Sequence, residues 1–235
     1  MVKNCVSFLP AFLDILFPRR CLVCSVFLSH PLSFTTNNQP LENYLCASCR
    51  QLLQTSESSS DAIRLVGVER VFSGYLYSGI FEKIIPAWKY HGRHEFFPLV
   101  KVLLGLALSR REISWPAADL VIAIPLSRSA FRKRGFNQAF FIASYCTAFF
   151  KQPLGHNLLI KTIDTPQQAS LNRRARSLNL GPDTFQVPEP KKIAGRNILL
   201  CDDVLTTGAT LSTAASALKS AGAASVTALT LARVH

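Results

Sequence analysis

Ile198–Thr210 reads ILLCDDVLTTGAT, and the reading of this stretch decides the fold. Ile198, Leu199, Leu200 and Cys201 form the continuous apolar run expected of a strand buried on both faces of a parallel sheet, and the small-residue segment Ala209 to Ala221 predicts a helix packed behind it. Between them Thr206, Thr207, Gly208, Ala209 and Thr210 form an anion cradle. Backbone N–H groups and hydroxyls at the positive end of a helix dipole suit a phosphate monoester. Gly208 lets the backbone approach it closely. Asp202 and Asp203 stand just before the cradle, where carboxylates can accept hydrogen bonds from the vicinal hydroxyls of a ribose whose 5′-phosphate lies on the loop. An ordinary capped helix would explain one threonine, but not adjacent acids with three threonines around one glycine.

The rest of the chain sets the context. At 235 residues it allows one domain of normal size with a small appendage. No apolar run reaches the roughly 18 to 20 residues that a membrane-crossing helix needs. Lys3 followed by CVSFLPAFLDILF imitates a signal peptide, but Pro10 and Asp14 interrupt it, Arg19 and Arg20 follow, and no small-residue cleavage site appears. Phe8, Leu9, Phe12, Leu13, Leu16 and Phe17 recur at helical spacing, which predicts a short amphipathic helix that covers core, with peripheral membrane contact as the second reading. With 26 basic against 14 acidic residues, the chain favours polyanionic partners. The charge gathers at Arg128, Arg132, Lys133 and Arg134, at Arg173, Arg174 and Arg176, and at Lys191, Lys192 and Arg196; the last group reads as a solvated surface.

Cys21-x-x-Cys24 and Cys46-x-x-Cys49 are two knuckles separated by residues 25–45, close to the spacing of four-thiolate zinc ribbons. A segment this small has too little core to fold without a staple. Disulfides fit poorly without an export signal, and a redox pair fits poorly where the pairs come as two. The expected metal is therefore structural Zn²⁺ held by Cys21, Cys24, Cys46 and Cys49, while Cys5, Cys146 and Cys201 sit in apolar contexts that suit buried free thiols.

These signals predict an α/β protein in which residues 1–60 hold a short helix and the zinc ribbon and residues 61–235 form one α/β domain, with the polar stretch 55–61 as linker. Strands are expected at 71–77, 120–124, 158–161, 198–201 and 225–231, and helices at 79–90, 96–110, 135–150 and 209–221, with Pro86 bending or starting the first. A parallel sheet places ligands at the carboxyl ends of its strands, so the donor-rich loops 126–138 and 162–179 are expected beside Asp202 and Asp203. Arg134-Gly135, at the opening of a helix, suits a multiply charged anion, which a guanidinium and backbone amides can meet together. Arg132 and Lys133 suit a nucleic-acid backbone, with Phe131, Phe136, Phe34 and Tyr44 as stacking partners.

The apolar strand, Asp-Asp, two residues and Thr-Thr-Gly resemble the phosphoribosyl pyrophosphate (PRPP) signature of type I phosphoribosyltransferases. The wider set resembles one branch of that superfamily, the ComF family. It comprises Phe-Pro-x-x-Cys-x-x-Cys from Phe17, Trp-Lys-Tyr-x-Gly-Arg at 88–93, Arg-Gly-Phe-Asn-Gln at 134–138, Thr-x-x-Gln at 165–168 leading to Arg176 and Asn179, and Asp-Asp-Val-x-Thr-Thr-Gly from 202. Ser25, Leu178, Pro86 and Trp88 depart from the family's usual residues. The resemblance implies a type I phosphoribosyltransferase fold with a central, mostly parallel sheet, preceded by the short helix and the four-cysteine ribbon. It implies Asp202, Asp203 and Arg134 as catalytic groups, and Thr206 to Thr210, Gly135 and Arg176 as phosphate and ribose contacts. PRPP or a ribose phosphate is the implied ligand, with Mg²⁺ at its oxygen-rich site. The implied setting is a bacterial cytoplasm, with attachment to inner-membrane DNA-uptake machinery as an option, where the protein handles single-stranded DNA in natural transformation through Lys89, Arg132, Lys133 and Arg134. The alternative is a phosphoribosyltransferase that acts on a small-molecule acceptor and has no DNA role; no base-recognising hood is evident.

Overall fold

The computed structural model describes residues 18–28, 41–54, 63–90, 93, 95–110, 114–162 and 181–234. The chain divides into two compact units, one drawn from 1–57 and 78–106, the other from 58–77 and 107–235. The expected helix at 8–17, the linker, Cys5, Phe34 and most of the 162–179 loop, Arg176 included, lie outside the described residues.

In the first unit a 3-10 turn (Leu41–Asn43) leads into α1 (Ala47–Gln54), which buries Cys49 and Leu53 and ties back to the turn through an Arg50–Glu42 ion pair of 2.9 Å. Further along come α2 (Phe81–Tyr90), which contains Pro86, and most of α3 (Phe96–Leu108). Trp88 of α2 meets Phe97 edge to face with centroids 6.0 Å apart.

The second unit is built, in chain order, from β1 (Arg70–Leu76), β2 (Leu120–Ala123), α4 (Arg128–Arg134), α5 (Gln138–Phe150), β3 (Ile160–Lys161), β4 (Phe185–Gln186), β5 (Asn197–Leu205), α6 (Ala209–Ser220) and β6 (Ser225–Arg233). The main sheet runs β1-β6-β5-β2 with every pairing parallel. β5 lies inside it, which is why Ile198 to Cys201 are all buried. Ser73 and Thr230 stand opposite each other, and their buried hydroxyls are 2.7 Å apart, so the two satisfy each other within the sheet.

α6 buries Leu211, Ala214, Ala215 and Leu218, the spacing of one helix face, into the core cluster that holds Leu200, Val226 and Ala228. It stops where Gly222 turns left-handed at φ 91°. There the N–H of Gly222 bonds to the carbonyl of Lys219 and that of Ala223 to the carbonyl of Leu218, the two bonds of a Schellman ending.

Two expectations need correction. The strand foreseen at 158–161 is only Ile160–Lys161, and it pairs antiparallel with Phe185–Gln186 in a separate two-stranded sheet, so the loop after it does not leave the carboxyl edge of the main sheet. The helix foreseen from Gly135 begins at Gln138. Asn137 caps it by accepting the N–H of Ala139 at 3.0 Å, and Arg128–Arg134 before it form a short helix of their own.

Candidate functional site

β5 carries Asp202 and Asp203 as its sixth and seventh residues, so both acids belong to the strand, which runs on through Leu205. Strand alternation sends their side chains to opposite faces. Asp202 is half-buried and its carboxylate accepts the N–H of Asp203 at 2.8 Å, while Asp203 is only 8% exposed.

The turn that follows is open on one side. Thr206 and Thr207 are exposed, and the Oγ1 of Thr207 accepts the N–H of Ala209 at 3.4 Å. Gly208 takes the N-cap position of α6 at φ 78° and supplies no side-chain cap to the helix entrance. A β-carbon at Gly208 would lie 2.2 Å from the Cδ2 of Leu65, which makes Leu65 one flank of the turn. Leu65 carries no sequence signal for this role, because the contact joins residues far apart in the chain. A groove of about 520 Å³ lies along the outer face of α6, lined by Val66, Phe185, Val187, Pro190, Ser212, Thr213 and Ser216 among others. It includes neither aspartate nor the turn, so the groove is a feature separate from the candidate site.

β2 lies beside β5, with Ala123 opposite Cys201 and the N–H of Ile124 bonded to the carbonyl of Cys201 at 2.9 Å. The segment that leaves β2 is therefore beside the aspartates, as expected. Its form is different: Gly135 is the left-handed C-cap of α4 at φ 77°, and Arg132, Lys133 and Arg134 occupy the last turn of that helix, where cations meet the negative dipole end. Arg134 Nη1 donates to Gln138 Oε1 at 3.3 Å. Gln138 is 1% exposed and its Nε2 makes no hydrogen bond among the described residues. Swapping the amide would set two donors against each other, so the carbonyl oxygen must face the guanidinium. Asn137 Nδ2 donates to the carbonyl of Ile124 at 2.9 Å and so pins the start of α5 to the end of β2. Neither the cap at Asn137 nor the clasp between Arg134 and Gln138 was read from the sequence, which placed the helix start at Gly135. Lys89, in the last turn of α2, belongs to the first unit.

The four cysteines come together: Cys21, Cys24, Cys46 and Cys49 place their sulfurs within 4.8 Å of one another, with Cys24 and Cys46 at 3.5 Å. Four sulfurs about 2.3 Å from a central ion lie about 3.8 Å apart, so the set fits a tetrahedral thiolate site for a metal ion. Leu22 N–H to the Tyr44 carbonyl at 2.9 Å joins the two knuckles. Burial works to raise the Cys21 thiol, but the backbone N–H groups of Cys24, Cys46 and Val23 outweigh it and hold the thiol down at about 7. Burial and the neighbouring sulfurs push Cys49 up. Cys146 and Cys201 are buried free thiols, and burial, helped by contact with Cys146, pushes Cys201 well up.

A phosphoribosyl transferase domain family matches residues 161–235, which include β5, the turn and α6. Competence protein ComFC of Bacillus subtilis is 31% identical over 163 residues, covering 68% of this chain and 63% of that protein. DNA utilization protein YhgH of Escherichia coli K12 is 28% identical over 152 residues, covering 64% and 66%, and competence protein F of Haemophilus influenzae is 27% identical over 133 residues, covering 56% and 58%. The match thus spans less than two thirds of each of these relatives. Among solved structures, a glutamine PRPP amidotransferase from B. subtilis overlaps 62% of this chain and 30% of its own at 17% identity and a TM-score of 0.41, too loose to argue from. Over about two thirds of its length the chain is thus similar to ComF-type competence and DNA utilization proteins, and its residues 161–235 match the phosphoribosyl transferase domain family.

Proposed function

We propose that the protein binds PRPP or another ribose phosphate at the end of β5 and takes part in handling single-stranded DNA during natural transformation. The observation that carries the ligand reading is the conjunction on one strand of Asp202 and Asp203 with an uncapped helix entrance at Gly208. A 5′-phosphate on the N–H groups and hydroxyls of Thr206 to Thr210 sets the ribose hydroxyls toward the aspartates. Arg134, held by Gln138 beside the neighbouring strand, is the group for a pyrophosphate, reached from a helix end rather than from a helix start. A Mg²⁺ ion held there with the ligand would offset the negative charge of the pyrophosphate. The DNA reading is supported by the names of the relatives, by the excess of basic residues and by the exposed Phe131 among Arg128, Arg132 and Lys133 on α4. The four cysteines hold structural Zn²⁺ in this reading. Among the described residues no helix is long and apolar enough to cross a membrane.

Titrating a labelled single-stranded oligonucleotide with and without PRPP and Mg²⁺ tests both halves. Binding that weakens steeply with salt, and falls on joint replacement of Arg132 and Lys133 by alanine, is the expected result. Salt-independent binding counts against the DNA half. Release of pyrophosphate from PRPP with a small-molecule acceptor by a protein that binds no DNA would favour the alternative enzyme.

A further inference from the structure

The described residues of the first unit carry a surface feature that the ribose-phosphate site does not use. Between Arg20 and Phe27 the chain folds into a tight hairpin around the first cysteine knuckle, with those two residues forming its cross-strand bridge. Four backbone bonds pin it: Cys21 N–H to the Val26 carbonyl at 2.8 Å, Ser25 N–H to Cys21 at 2.9 Å, Leu28 N–H to Arg19 at 2.9 Å, and Leu22 N–H across to Tyr44 at 2.9 Å. Across the bridge the Arg20 guanidinium lies 4.2 Å from the centre of the Phe27 ring, and Nη1 reaches the Ser25 carbonyl at 3.5 Å. The ring is not tucked in: Phe27 is 54% exposed and its neighbour Val26 57%. A cross-strand cation–aromatic pair stabilises a hairpin by itself, but that role does not require two large apolar side chains to face water.

We propose that the Arg20–Phe27 pair is a stacking platform for the unpaired bases of single-stranded nucleic acid; this rests on the DNA reading above and gives it a second point of contact. A base can extend the stack on the guanidinium plane or on the free side of the ring, and such contacts tolerate any sequence because every base has a π face. Residues 18–28 contain two arginines and no acid, which suits a phosphate backbone that runs past the stack. The pinned hairpin loses little conformational freedom when it binds. Bases inside a duplex are already stacked and out of reach, so the platform selects single strands.

The test uses the full-length zinc-loaded protein and a single-stranded oligonucleotide that carries 5-iododeoxyuridine. Ultraviolet crosslinking followed by peptide mass analysis is expected to place an adduct on Phe27. Phe27→Ala is expected to weaken oligonucleotide binding about tenfold at unchanged zinc content, and Phe27→Trp to restore it. Adducts confined to other peptides, together with unchanged binding by Phe27→Ala, overturn the proposal. If Phe27→Ala loses zinc, the crosslink on the unaltered protein and the Phe27→Trp affinity decide. Unchanged oligonucleotide binding with weakened binding to phosphatidylglycerol vesicles would assign the patch to a membrane and also overturn it. The two readings fail separately: no single-strand binding at low salt removes the DNA reading itself, whereas loss on Arg132 and Lys133 replacement with no effect at Phe27 removes only the platform.

Discussion

Gly208 meets two conditions that only glycine satisfies together. Its φ of 78° is left-handed, and the Cδ2 of Leu65 would be 2.2 Å from any β-carbon. Gly208→Ala is therefore expected to cost about 1–2 kcal/mol from the backbone alone, with the Leu65 clash added, and to abolish ribose-phosphate binding; chemical denaturation and ligand titration check the two effects. Cys201, next to Asp202, makes a prediction about pH. Burial holds its thiol well above the ordinary 9.0, so above that pH the unfolded chain sheds a proton that the folded chain keeps. The stability contribution is complete below pH 9 and is lost as the pH rises beyond it. Cys201→Ala should flatten that alkaline decline, as read from denaturation midpoints between pH 8 and 10.5, and an unchanged slope would remove Cys201 as its source. At this scale the sequence was most informative where chemistry is local. Asp202, Asp203 and Gly208 announce themselves in one run, whereas Leu65 and Gln138 acquire their roles only when distant segments meet.

The elements around the site depend on Asn137 more than its place in a loop suggests. It caps α5 through Ala139 and fastens the helix to Ile124 at the end of β2. Asn137→Ala should cost about 1 kcal/mol for the cap, and Asn137→Asp should recover the cap but not the bond to Ile124, because a carboxylate has no N–H to donate. Double-mutant denaturation with Arg134→Ala would show whether the two changes couple through the Arg134–Gln138 clasp. The parallel main sheet was predictable because continuous apolar runs alternated with helical segments. Two features escaped for definite reasons. Asn137 starts α5 later than the apolar pattern alone suggests, and Ile160–Lys161 has the composition of a core strand although its hydrogen bonds go to Phe185–Gln186.

For the whole molecule, metal and ligand should act on different parts. The four-sulfur cluster lies in the first unit and the proposed ribose-phosphate site in the second. The purified protein is expected to carry near-stoichiometric zinc. Its removal by a strong chelator should expose the amides of residues 18–28 and 41–54 to hydrogen exchange while those of β5 and β6 stay protected. Loss of protection throughout the sheet would instead make the zinc site part of one cooperative unit. The cysteine spacing made this site readable without a structure, because tetrahedral thiolate ligation leaves few alternatives for paired Cys-x-x-Cys knuckles.

The central claim is that the end of β5 is a ribose-phosphate site, and thermal unfolding with PRPP and Mg²⁺ tests it most directly. A ligand at about a hundred times its Kd that binds only the folded state should raise the melting temperature by about 5 °C or more. The account predicts that shift in the unaltered protein and its loss in Asp202→Asn, Asp203→Asn. No shift in the unaltered protein, or an equal shift in the doubly substituted one, would contradict it.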